Sequence, residues 1–157
     1  MINKIFETFF KFAKKNGYKV IYGSEGVSEC PYVNPKEKVF HFVDKEQNVF
    51  RLRELIHEWC HSTGPITNRP VFEDYPLEEL VAEKTAYDIM MKYGFYSVFT
   101  RKVYVFKFKH ASYINFWLNQ AQQEYPEKSI DEILDMVNGH IEIATNMISE
   151  MIEKEDN

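Results

Sequence analysis

The chain has 157 residues, of which 45% are apolar and 16% aromatic, with only six Gly and six Pro. That is the size and composition of one folded domain, and it excludes a disordered tail, a low-complexity array and a pair of independent domains. Acidic residues outnumber basic ones by 24 to 19, so the net charge of −5 argues against nucleic-acid binding over the whole surface but permits a local basic patch.

Residues 2 to 16 place Ile2, Ile5, Phe6, Phe9 and Phe12 at helical spacing before Gly17, which predicts an amphipathic N-terminal helix within residues 1–17. Tyr18 to Tyr22 predicts a short strand, residues 23 to 38 carry turn formers, and Val39 to Val43 predicts a second strand. A helix follows from about Asn48 to Thr63, with Gly64-Pro65 as its stop, and another from Leu77 to Tyr93, stopped by Gly94. Residues 95 to 109 are aromatic, β-branched and basic, which suits a strand or an irregular loop. A short helix from Ser112 to about Gln123 and a long one from Ser129 to Glu153 complete the chain; Ile130, Ile133, Leu134, Val137, Ile141, Ala144, Ile148 and Ile152 mark the apolar face of the last. No repeat or linker divides these elements, so a single domain over 1–157 is expected.

Two cysteines, Cys30 and Cys60, are too few for a disulfide scaffold. The N-terminal stretch scatters its charges and lacks the apolar core of a signal peptide. No segment approaches the roughly 18 apolar residues of a membrane span. A soluble, cytoplasmic protein without membrane contact is the expectation.

One motif stands out: His57-Glu58-Trp59-Cys60-His61, an HExxH pattern. Residues four apart share a helix face, so both imidazoles can reach one metal ion, with Glu58 beside them to take a proton from water. At about 100° per residue, Leu52, Leu55, Ile56 and Trp59 fall on one side of this helix and His57, Glu58 and His61 on the other. Eighteen residues beyond His61, Glu79 shares a stripe with Glu83, Ala82, Ala86 and Met90. Carboxylates on an inward face are costly unless paired or bound to metal. Glu79 is therefore the first choice as third ligand of a zinc ion, Glu78, directed towards the edge of the stripe, the alternative, and Glu83 the partner for the free N–H of a ligating imidazole.

The segments LIHEWCHSTG (55–64), YPLEELVAEKTA (75–86) and HASYINFWL (110–118), with CPYVNPKEKVFHFVD (30–44) upstream, resemble the zincin-like metallopeptidase domain of ArdC-type antirestriction proteins, found in phages and mobile elements. The resemblance spans roughly residues 18–150. It implies an α+β zincin-like fold: a small antiparallel or mixed sheet on an HExxH active helix, a glutamate helix behind it and a long C-terminal helix. It implies one zinc ion, held by His57, His61 and a glutamate of EELVAE, catalysis by Glu58 on a protein or peptide substrate, and an oxyanion donor in Tyr113 or His110. Ser62 stands where the family often has Trp. The single-stranded-DNA-binding domain of full-length ArdC proteins has no counterpart among these residues, so DNA binding is not carried over with the resemblance.

A second function class stays open, a non-catalytic antirestriction or nucleic-acid-associated protein with a structural metal. Arg101, Lys102, Lys107 and Lys109 interleave with Tyr104, Phe106 and Phe108, a pattern that suits contact with single-stranded nucleic acid or equally a lysine-guarded strand edge. Cys60 borders the apolar stripe and is expected to be a buried structural thiol. His41 is expected at the surface and His140 in the core.

Overall fold

The structure, a computed structural model, describes residues 1–23, 30–67, 71–97 and 101–154, and of residues 65–67, 101 and 102 the backbone alone. Its elements in order are α1 (Ile2–Lys15), β1 (Lys19–Tyr22), β2 (Tyr32–Asn34), β3 (Val39–Phe42), α2 (Val49–Thr67), α3 (Tyr75–Lys92), α4 (Arg101–Glu124) and α5 (Ile130–Lys154). The class is α+β, as expected, and the sheet is mixed: the strand order is β1-β3-β2, with β1 parallel and β2 antiparallel to β3. No described helix is long and apolar enough to cross a membrane.

Local chemistry explains the helix ends. Both α1 and α3 close on a left-handed glycine, Gly17 at φ 75° and Gly94 at φ 76°. In each case the glycine N–H and the one after it return to the last turn: Gly17 to Lys14 and Tyr18 to Ala13, Gly94 to Met91 and Phe95 to Met90. This pairing satisfies carbonyls that the helix itself leaves open. Asn48 starts α2 by accepting, through Oδ1, the N–H groups of Phe50 and Arg51, both at 3.0 Å. Ser129 and Glu132 form a reciprocal capping box at the head of α5.

The core is built around Phe9 of α1, which is fully buried. Its ring meets Phe40 at 4.8 Å, Phe42 at 5.7 Å and Trp59 at 5.5 Å, each edge-on. Such contacts add about 0.5–1.5 kcal/mol apiece to the burial of the rings themselves. One side chain thus joins α1, the sheet and the apolar side of α2, where Leu52, Leu55, Ile56, Trp59 and Cys60 are all buried. α5 contributes Ile133, Val137, Ile141, Ala144, Ile148 and Ile152 to the same core; of the face its periodicity predicts, Ile130 in the first turn is exposed and Leu134 half-buried.

Four expectations need correction. First, α4 is one helix of 24 residues, and the segment 101–109 is its first half instead of a strand or loop. Val103, Phe106, His110, Ile114, Trp117 and Ala121 recur at helical spacing and pack inward, and that tertiary burial outweighs the weak β-preference of the aromatic and β-branched residues. Second, α2 continues through Gly64-Pro65 to Thr67. Pro65 falls in the last turn, where its missing N–H forfeits a single backbone bond. Third, β2 lies within the segment read as turns and pairs antiparallel with β3. Fourth, His41 is 2% exposed: its ring stacks on Tyr32 at 5.0 Å, and Nε2 donates to the Gly23 carbonyl. His140 is half-buried against Phe72.

Because Phe9 links three elements, Phe9→Ala should cost about 3–5 kcal/mol, the range for deleting a fully buried aromatic ring. Urea denaturation would measure this, and a loss below about 1 kcal/mol would place the junction elsewhere.

Candidate metal centre

Two polar stripes face each other across α2 and α3. On α2, Arg53, His57 and His61 follow one another at four-residue intervals; on α3, Glu79 and Glu83 do the same, with Glu78 alongside. The partners run in opposite chain directions. Arg53 pairs with Glu83, His57 lies 3.3 Å from both Glu83 and Glu79, and His61 lies 3.4 Å from Glu79 and 3.5 Å from Glu78. α2 and α3 are therefore antiparallel here. The polar side of α2 is not solvent-facing, since His57 is 8% exposed and Glu58 7%.

The orientation of the two imidazoles is informative. Nδ1 of His57 lies 3.3 Å from Glu83 Oε1 and Nδ1 of His61 3.5 Å from Glu78 Oε1, so each Nδ1 has a carboxylate beside it. Both Nε2 atoms then point at each other, 3.1 Å apart, and at the two oxygens of Glu79. In neutral rings with the proton on Nδ1, Nε2 carries a lone pair. Two lone pairs and a carboxylate then face one another, an arrangement that a metal ion or a proton can bridge.

Size supports the same conclusion. The two Nε2 atoms lie 3.1 Å apart, with Glu79 Oε2 3.3 Å from that of His57 and Glu79 Oε1 3.4 Å from that of His61. A tetrahedral ion at about 2.0–2.1 Å from N and O ligands sets its donors about 3.3 Å apart. His57, His61 and Glu79 could hold a metal ion, their ligand atoms all lying within 4.8 Å of one another. Glu58, next in sequence to His57, brings Oε1 to 4.0 Å from His57 Nε2, and the main chain of Val33 in β2 hydrogen-bonds its carboxylate.

Charge tells the same story. Glu58, Glu78, Glu79 and Glu83 are all buried, against one guanidinium. Burial disfavours a charged His57, but hydrogen bonds to Glu79 and Glu83 outweigh it and raise its pKa to about 10. His61 is raised likewise, against the same penalty, by Glu78 and Glu79. Burial pushes Glu79 up, yet the two imidazoles bring it down to about 2. Without a metal ion, protons on the imidazoles thus occupy the role of the cation. Glu58 differs: burial holds its carboxyl above the ordinary range. Tyr75, the residue four before Glu79, is raised to about 12 by burial and by the charge and hydrogen bond of Glu79.

Glu83 is the hub behind this cluster. Arg53 and His57 meet its Oε1, and His110 Nε2 lies 3.0 Å from Oε2 while donating to the Glu83 main-chain carbonyl at 3.0 Å. His110 Nδ1 is left to accept the Tyr96 hydroxyl. Desolvation lowers the pKa of His110, consistent with this neutral tautomer in a site 1% exposed.

The cluster opens onto a groove of about 810 Å³ bordered by Tyr32 and Val33 of β2, by Tyr75 and Glu79 of α3, and by Tyr113 and Trp117 of α4. Of the residues singled out in the sequence, His57, Glu58, His61, Glu78, Glu79, Glu83 and Tyr113 line it; His110 lies behind Glu83. Glu78 is buried and directed at His61 instead of lying at the edge of the stripe. Arg53, Tyr75 and Tyr96 were not anticipated. Arg53 and Tyr75 had a legible signal, each lying one helical turn before a proposed ligand on the same face. Lys107 and Lys109 lie on α4, and the side chains of Arg101 and Lys102 are outside the described residues.

In comparisons with known proteins, the chain matches no family model, and no match to a curated protein or a solved structure was found.

Two outcomes follow from the geometry. Glu83→Ala leaves Arg53, His57 and His110 facing a void, so it should destabilise the fold by about 3–5 kcal/mol in urea denaturation, the cost of breaking a buried ion pair from one side. Metal must displace protons from imidazoles of raised pKa, so divalent-metal affinity should rise by about tenfold per pH unit for each proton displaced, between pH 6 and 8. Calorimetry in buffers of different ionisation enthalpy would count those protons; pH-independent affinity would remove His57 and His61 from the ligand set. The metal-free fold behaves in the opposite sense: the His57 contribution is full below its ordinary 6.5 and is lost as pH rises towards about 10.

Proposed function

We propose that the protein is a zinc-dependent hydrolase of peptide bonds, related to the zincin-like domain of ArdC-type antirestriction proteins. The observation that carries this reading is the convergence of His57 Nε2, His61 Nε2 and the Glu79 carboxylate at 3.1–3.4 Å, with Glu58 beside them in an open groove. Two imidazoles and one carboxylate in a tetrahedral arrangement suit zinc and leave a fourth position for water or substrate.

A zinc ion held there supplies Lewis acidity, polarising a carbonyl and lowering the pKa of water towards about 7. The protein's own groups supply the rest. Glu58 takes the proton of the attacking water and passes it to the leaving amine; burial raises its pKa and suits it to both transfers. Glu83 and Glu78 hold the two rings with Nε2 inward and increase their basicity. Tyr113 lines the groove and is the better placed of the two expected oxyanion donors. His110, with both ring nitrogens engaged, is a positioning residue acting through Glu83.

The groove suits an extended chain. β2 is an edge strand, and the contact between Val33 and Glu58 brings its main chain to the candidate site. An extended peptide pairing with that edge would bring its carbonyls past the two imidazoles and Glu79.

The purified protein should contain one zinc and cleave members of a fluorogenic peptide library. Glu58→Gln should keep the zinc and the thermal midpoint and lose about 10²–10⁴-fold in kcat/KM. Undiminished cleavage by this variant would remove Glu58 from the chemistry, and absence of zinc from the native protein would sink the assignment.

A further inference from the structure

Beside the groove lies a second cavity of about 560 Å³ between α2 and α4, within the range of about 300–1,000 Å³ typical of ligand pockets. Arg53, Glu54 and Tyr113 line both spaces, so the cavity continues the groove. Its other walls include Phe50, Val105 and Phe106. Phe50 and Phe106 meet edge-on at 4.6 Å, yet Phe50 stays 41% exposed and Val105 46% exposed, leaving apolar surface open to the cavity.

The charges here are committed, with one exception. Arg53 pairs with Glu83 and lies over the Tyr113 ring at 5.0 Å. Glu54 receives both oxygens' worth of hydrogen bonds from Arg51, at 3.0 and 2.8 Å. Lys109 is exposed on the cavity wall and has no ion pair among the described residues. The cavity therefore offers aromatic and aliphatic walls and one uncommitted cation. A polyanionic strand would have to pass Glu54, Glu58, Glu73 and Glu79 in the adjoining groove. A peptide with one carboxylate near Lys109 meets only Glu54 in the cavity, whose charge Arg51 already pairs.

We infer that this cavity receives an aromatic side chain of a peptide lying in the groove, and that Lys109 selects an acidic residue beside it. The inference rests on the peptidase reading for the direction of the peptide, but binding tests it without hydrolysis. The aromatic ring gains burial against Phe50, Phe106 and Tyr113. The Lys109 ammonium contributes a partly exposed charge pair, so its effect is the smaller of the two.

The test uses the zinc-loaded Glu58→Gln protein and three fluorescein-labelled peptides, Ala-Ala-Phe-Glu-Ala-Ala, Ala-Ala-Ala-Glu-Ala-Ala and Ala-Ala-Phe-Lys-Ala-Ala, followed by anisotropy. The first should bind about tenfold more tightly than the second and about threefold more tightly than the third. A further Phe50→Ala change should abolish the first preference alone, and Lys109→Glu should invert the second. Both positions are exposed, and circular dichroism would verify the fold. Equal affinities, preferences that survive both changes, or no binding to any peptide would overturn the inference. Tighter binding of oligothymidylate than of any peptide, lost in Lys109→Glu, would also overturn it in favour of nucleic acid. Cleavage of the three peptides by the native protein reports separately: discrimination without cleavage supports the cavity and removes peptide hydrolysis, whereas cleavage without discrimination overturns the cavity alone.

Discussion

The structure depends on the burial of three carboxylates of α3, Glu78, Glu79 and Glu83, against α2. Water solvates a glutamate far better than a protein interior does, so each buried one must meet a cation, a donor or a proton. Here Glu83 meets Arg53, His57 and His110, Glu79 meets both HExxH imidazoles, and Glu78 meets His61. The interface between α2 and α3 is therefore specified residue by residue. A rotation or shift of either helix would leave several charges unpartnered at once.

The apolar architecture serves that alignment. α2 has two different sides: Leu52, Leu55, Ile56 and Trp59 are held by α1 and the sheet through Phe9, and Arg53, His57 and His61 are held by α3. The aromatic cluster fixes how α2 is rotated about its axis. The ring nitrogens are aimed by that rotation together with the carboxylates behind them. His110, reached by Tyr96, extends the support to α4, so the helix that lines the groove from one side also buttresses Glu83.

Much of this was legible before any coordinates, for physical reasons that can be named. HExxH is a local pattern whose spacing encodes a face, and Glu79 and Glu83 announced themselves as carboxylates on an apolar stripe. The glycine ends of α1 and α3 were readable because a left-handed residue is a local requirement. What escaped depended on distant partners. The first half of α4 has side chains that favour strands in isolation, and only its packing makes it helical. β2 is three residues between Pro31 and Pro35, too short for an alternating pattern to register. His41 and Glu78 were misplaced because burial of a polar group is decided by what approaches it: the Gly23 carbonyl in one case, His61 in the other.

Arg53 and Glu83, the outermost pair of the polar ladder, are thirty residues apart in the chain. Every ion pair joining α2 to α3 thus closes within a single helical hairpin, and the entropy lost in closing a loop grows only with the logarithm of its length. The charged partners thus belong to one helical hairpin, whereas α1 and α5 reach α2 from farther along the chain, as Phe9 does in meeting Trp59.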